Sequence, residues 1–205
     1  MRRKILSFAM AVVMAVVCLT GCSGNFSKSS FISAAKKNGM EEIKETTKLS
    51  HILADDGEHI AYYYDDKDIK VFDFAGSPFS DHISASYVNE FVMAVEGIGK
   101  TDDHGRCTTR VYYVTVKDSK TAEDIYNSAK RGLVKPEEGK KNGVTYTISY
   151  QGSKKEGSTV ELAIGIYLKD NHLVWIRSDY DSSLKNKSVE GFCKSLGLVS
   201  PYTLK

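Results

Sequence analysis

The chain has 205 residues, 28 basic against 26 acidic side chains, 41% hydrophobic content and three prolines. Such a composition excludes an intrinsically disordered chain. The near balance of charge, with both signs mixed along the sequence, gives no electrostatic case for binding nucleic acid.

Arg2, Arg3 and Lys4 form a positive start, followed by an uncharged apolar run from Ile5 to Leu19. The run has the length of a signal-peptide core and falls short of the roughly 20 residues a spanning helix needs. It ends in Leu19-Thr20-Gly21-Cys22. Small residues before a cut let the chain enter a narrow protease site in extended form. This stretch resembles the lipobox of bacterial lipoproteins, with Leu at −3, Gly at −1 and Cys at +1. The resemblance implies that Cys22 receives a diacylglyceryl group, with acyl chains such as palmitate, and that residues 1–21 are removed. The alternative is an ordinary secretory signal that happens to contain Cys22. Diacylation is enough for stable anchoring, because one acyl chain binds a membrane only marginally and two hold.

Removal of residues 1–21 takes away three basic and no acidic side chains, leaving 184 residues with 25 basic against 26 acidic. That length suffices for one good core or two small lobes. Twelve tyrosines against eight phenylalanines lean toward sheet.

Residues 22–30 read as a Ser/Gly/Asn/Lys tether, and residues 31–205 as the extracytoplasmic domain. A first helix is expected over about Ser30–Lys37, stopped by Asn38-Gly39. Residues 40–56 carry no clear signal. His59 to Tyr64 reads as a strand, turned by Asp65-Asp66-Lys67-Asp68 into a second strand, Ile69 to Phe74. Tyr87 to Ile98 is ambiguous: Val88, Phe91, Val92 and Val95 have helical spacing, but β-branched residues and Gly97 and Gly99 oppose a helix. Arg110 to Lys117 is a strand. Asp118-Ser119 caps a helix whose apolar face is Ala122, Ile125, Tyr126, Ala129 and Leu133, ended by Gly132. Gly143 to Gln151 alternates, with Val144, Tyr146, Ile148 and Tyr150 on one side and Thr145, Thr147 and Ser149 on the other. Val160 to Leu168 pairs through Asp170-Asn171 with Leu173 to Ser178 as a hairpin. Asn186 to Leu196 is the last helix, stopped by Gly197.

This order predicts an α+β fold, an antiparallel sheet with helices packed on one face. An echo between Ala34–Gly39 and Ala129–Gly132 raises two similar small lobes, divided near residues 85–105, as an alternative. The order of elements over residues 31–202 also looks like that of small lipoproteins of clostridia-like bacteria, a resemblance that carries no activity with it.

Cys18 leaves with the signal, so Cys107 and Cys193 remain in a compartment where a disulfide is permitted. The other reading is two free thiols, since Cys193 shares a helical face with Val189, Phe192 and Leu196.

Several motifs point to chemistry that their surroundings oppose. Ala94 to Thr101 resembles a Walker A loop, yet Asp102 and Asp103 follow where phosphate would sit, so a hairpin turn is the better reading and no nucleotide is expected. Asp65, Asp66 and Asp68 suggest calcium, but Val71 and Ser77 stand where a calcium loop needs Gly and Glu. His104 and Cys107 lack a second ligand pair for zinc, and His51, His59, His82 and His172 are scattered. Ser33-Ala34-Ala35-Lys36 and Ser182-Ser183-Leu184-Lys185 fit the Ser-x-x-Lys pattern of penicillin-recognising enzymes without its partner motifs. Tyr62, Tyr63, Tyr64, Tyr112, Tyr113, Tyr146, Tyr150 and Tyr167 could line a recognition surface; packing in the core is the favoured alternative.

The sequence therefore predicts a lipid-anchored extracytoplasmic binding or interaction domain, on the outer face of the cell membrane. Its expected partners are the membrane, through Cys22, and an envelope protein, with no catalytic residue, metal or cofactor assigned. The alternatives are an envelope-associated hydrolase whose site is assembled from distant residues, and a small solute-binding lipoprotein.

Overall fold

The structure is a computed structural model that describes residues 26–44, 59–66, 85–101, 105–155, 158–181 and 187–205. The chain runs α1 (Lys28–Lys37), β1 (Glu41–Glu42), β2 (His59–Asp66), β3 (Val88–Thr101), β4 (Gly105–Val116), α2 (Ser119–Ala129), β5 (Glu137–Lys141), β6 (Val144–Lys155), β7 (Ser158–Lys169), β8 (His172–Asp181) and α3 (Ser188–Leu196). Short 3₁₀ turns precede β3, follow α2 and close the chain at Pro201–Leu204.

Among the described residues eight strands form one sheet in the order β1-β2-β3-β4-β8-β7-β6-β5. Every neighbouring pair is antiparallel except the two-residue β1, which runs parallel to β2. The mixed α/β character is as expected. The order reads outward from the β4–β8 seam as 4-3-2-1 and 8-7-6-5, so each half is a helix followed by four strands. The two halves share one sheet.

The predicted single helical face is corrected. Successive strand residues point to opposite faces, and here both faces are buried. Val92, Ala94, Val111, Tyr113, Val174, Ile176 and Tyr167 meet α1 and α3 through Phe31, Ala34, Ala35, Val189, Phe192 and Leu196. Phe91, Met93, Val95, Tyr112, Val114, Leu173, Trp175 and Ile166 meet α2 through Ala122, Ile125, Tyr126 and Ala129. Phe31 links α1 to the sheet through Tyr113 at 5.9 Å and to α3 through Phe192 at 5.2 Å, and Tyr112 meets Trp175 across the β4–β8 seam at 5.1 Å. A strand covered on both sides has no reason to alternate. That explains why β3 reads ambiguously as sequence and yet is the longest strand.

Caps and turns fix the ends locally. Thr121 N–H donates to Asp118 Oδ1 at 2.7 Å, which starts α2 where expected. Gly197 ends α3 at φ 68°, and Gly39 follows α1 at φ 76°. At the far edge, Asn142 (φ 53°) and Gly143 (φ 79°) form the two-residue turn of the β5–β6 hairpin, a conformation that suits Asn-Gly. β5 itself is Glu-Glu-Gly-Lys-Lys, an edge strand without an apolar residue. The expected strand at 69–74 lies outside the described residues. Among those residues, no helix is long and apolar enough to cross a membrane.

Candidate binding surface

Packing into the core and helix formation start earlier than the sequence suggests. Phe26 is buried in the core with α1 and α3. Ser27 caps α1 by accepting from Ser30 N–H at 3.3 Å, so the helix begins at Lys28, inside the stretch expected as tether. α1 turns Phe31, Ala34 and Ala35 inward. Ser29, Ser33 and Lys37, four residues apart in turn, follow one another along its exposed side.

α3 lies against α1. Gly191 makes the close approach: a Cβ there would stand 2.7 Å from Asn38 Cγ. Asn38 is itself fixed, because its Nδ2 donates to the Ala34 carbonyl at 2.8 Å. Between the two helices opens a groove of about 170 Å³, lined by Ser29, Ser30, Ser33, Ala34, Lys37 and Ser195. It offers four hydroxyls and one ammonium. Hydroxyls can donate or accept, and an ammonium only donates, so the set suits an anion. The surrounding helix surface is basic. α1 carries Lys28, Lys36 and Lys37 with no acidic residue, and Lys187 and Lys194 flank and end α3, which has Glu190 as its one carboxylate. Lys36, Lys37, Lys187 and Lys194 are exposed. Lys28 is held by Asp65 at 2.7 Å, and Glu190 accepts from Ser200 Oγ at 2.7 Å. On the opposite face α2 carries Glu123 and Asp124 against Lys120.

A second polar cluster sits where α1 begins. Thr115 Oγ1 lies 3.1 Å from Glu90 Oε2, 3.1 Å from Tyr113 Oη and 3.2 Å from His172 Nδ1, and Tyr113 Oη lies 2.7 Å from the same imidazole nitrogen. Glu90, Thr115 and His172 are register neighbours on three adjacent strands. A carboxylate only accepts, so the single Thr115 proton goes to Glu90. The threonine oxygen is then an acceptor toward its other neighbours. The cluster closes on itself and ties the sheet's polar rim to the core, where burial raises the Tyr113 phenol above its usual range.

The residues singled out in the sequence fall as follows. Cys22 lies outside the described residues. Cys193 is a free, buried cysteine, with Sγ 3.9 Å from Tyr167 Oη. Burial pushes its thiol up to about 12, against a partial lowering by that hydroxyl. Tyr167 folds back over Gly165, which is in register with Ile176 and so with Val111. Cys107 lies on β4, in register with Ile98, and its side chain lies outside the described ones. The Walker-like stretch is the end of β3, paired antiparallel with β4, which matches the hairpin reading. Asp65 meets Lys28, Asp68 and His104 lie outside the described residues, and no three potential metal ligands come together among the described residues. Tyr63, Tyr64, Tyr112, Tyr113 and Tyr167 are buried, so most of the tyrosines pack in the core.

Lys36, from the Ser-x-x-Lys pattern, lies over the Tyr63 ring at 5.8 Å. It is Lys37, four residues after Ser33, that joins Ser33 in the groove. The spacing Ser29, Ser33, Lys37 was the signal available in the sequence; Ser195 arrives from the far end of the chain and left none. No protein-family model matches the chain, and no curated protein matches it.

Proposed function

We propose that this chain is a lipid-anchored extracytoplasmic binding domain, held by Cys22 at the outer face of the cell membrane. The observation that carries the reading is how close the folded body stands to the lipobox cysteine. Phe26 is already in the core, so three residues lie between anchor and domain, a path of four residue steps. Four steps span at most about 14 Å when fully extended. A lipid on Cys22 would hold the α1 end of the domain against the headgroups, and the polar, basic groove between α1 and α3 would be its nearest built feature. The groove fits recognition of a polar or anionic group.

The test is metabolic labelling with a fatty acid in cells producing the chain, followed by intact-mass measurement. Labelled protein beginning at Cys22, with label and processing lost in Cys22→Ala, is the expected result. Normal labelling of Cys22→Ala would refute the anchor.

A further inference from the structure

The helices of the two sheet faces differ in sign, and the basic pair is the one next to the lipobox. α1 is ten residues long, about 15 Å at 1.5 Å per residue. That is close to the reach of the tether, so the whole length of α1 can lie at a membrane surface. Its outward side presents Ser29, Ser33 and Lys37, and α3 adds Lys194 and Ser195 beside it.

We infer that the α1–α3 face docks on anionic phospholipid headgroups of the membrane that anchors the chain, with one headgroup phosphate taken into the groove between Lys37 and the hydroxyls of Ser29, Ser33 and Ser195. This rests on the anchor reading above. Charge complementarity selects the occupant. Exposed lysines gain from the negative potential of a lipid surface within a Debye length, and a phosphate oxygen accepts from both ammonium and hydroxyl donors. Gly191 has a part in it: without a side chain at that position, α3 comes close enough to α1 for Ser195 and Lys37 to line one groove. Two consequences follow. The domain is oriented, with α2 turned away from the bilayer, and the contact weakens with salt.

The experiment uses the native lipoprotein reconstituted into vesicles of phosphatidylcholine alone or mixed with phosphatidylglycerol. Lysines are acylated with a water-soluble reagent and read by mass spectrometry. Labelling of Lys37 and Lys194 is expected to fall about fivefold in the phosphatidylglycerol vesicles, while Lys120 on α2 is unchanged, and high salt restores it. Lys37→Gln combined with Ser33→Ala, both at exposed positions, should remove the protection of Lys194 without releasing the protein from the vesicles. Equal labelling in the two vesicle types overturns the proposal. Equal protection of Lys37 by inorganic phosphate over phosphatidylcholine vesicles also overturns it, in favour of a free-anion site. Protein that fails to float with either vesicle, with Cys22 unmodified by mass, overturns the anchor reading and this proposal together; protein that floats but shows no headgroup effect overturns this proposal alone.

Discussion

Arg110 and Arg177 are in direct register across the β4–β8 seam, two like charges on the same face at the centre of the sheet. Directly opposed like charges destabilise a sheet. Asp179 answers one of them, with Arg177 Nε donating to its Oδ2 at 2.7 Å and Nη2 to Oδ1 at 3.4 Å. Asp179→Asn leaves two guanidinium groups facing each other and should lower stability by about 0.5–1 kcal/mol. The loss should shrink in high salt, because these side chains are partly exposed. Urea unfolding at two salt concentrations measures both; a salt-independent loss would point to the hydrogen bond rather than to the charge.

Gly191 is a test of the helix pair. In an isolated helix, glycine to alanine gains about 1 kcal/mol. Here the new Cβ would meet Asn38, and overpacking typically costs about 1–3 kcal/mol. Gly191→Ala is therefore expected to destabilise on balance, by about 1 kcal/mol, in chemical denaturation. A more stable variant would mean that Asn38 swings aside freely and that the α1–α3 spacing is not set there.

Cys193 and the buried tyrosines predict an alkaline limb. Burial pushes the Cys193 thiol up to about 12 from an ordinary 9.0, and burial raises Tyr167 well above its usual 10.0. A group whose folded pKa is raised contributes stability below its unfolded pKa and loses it as pH rises through the folded value. Stability should accordingly fall from about pH 9 upward, where the unfolded chain ionises and the native chain does not. The slope of urea midpoint against pH should be shallower in Cys193→Ala. Disulfide-exchange reagents need thiolate, so Cys193 should react at neutral pH only as the chain unfolds. Fast reaction of Cys193 in the native protein, mapped by peptide mass, would contradict this packing.

Asp118 supplies the acid limb. Its carboxylate is held below the usual range chiefly by the Thr121 backbone N–H, with Lys117 adding a smaller attraction. A depressed pKa means stability present above the unfolded value and lost as pH falls through the folded one. The wild type should lose helix stability under acid, whereas Asp118→Asn, which keeps a capping oxygen, should flatten that part of the profile. Identical acid profiles for the two would show that the cap does not depend on charge.

These tests fall where sequence and structure meet unevenly. α2 and its Asp118 cap, α3 with Gly197, and the β7–β8 hairpin are legible because each carries a local signal: a capping carboxylate, an αL glycine or a turn between alternating runs. The alternation in β6 is legible too, and its polar side has a use, since Thr147 meets Tyr126 Oη of α2 at 2.6 Å. β5 went unread despite Asn142-Gly143, because Glu-Glu-Gly-Lys-Lys has no apolar pattern and is a strand only by pairing with β6. The choice of faces was not legible. It is fixed by which strand parity each helix covers, a property of long-range register that no single segment carries. The groove suffers the same limit, with three members at helical spacing and Ser195 from another element.

The edge strand β5 would have a consequence if, as proposed, many copies are held on one surface. Among the described residues no strand lies beyond β5, so that side would be open to a strand from another copy, but every side chain it offers is charged, apart from one glycine. Charged edges discourage such pairing. Molecules confined to a plane collide far more often than the same number in solution. Under the proposed anchor, an edge whose charges must be desolvated before a strand can pair on it would keep crowded copies from zipping into ribbons, and they would stay free to diffuse past one another.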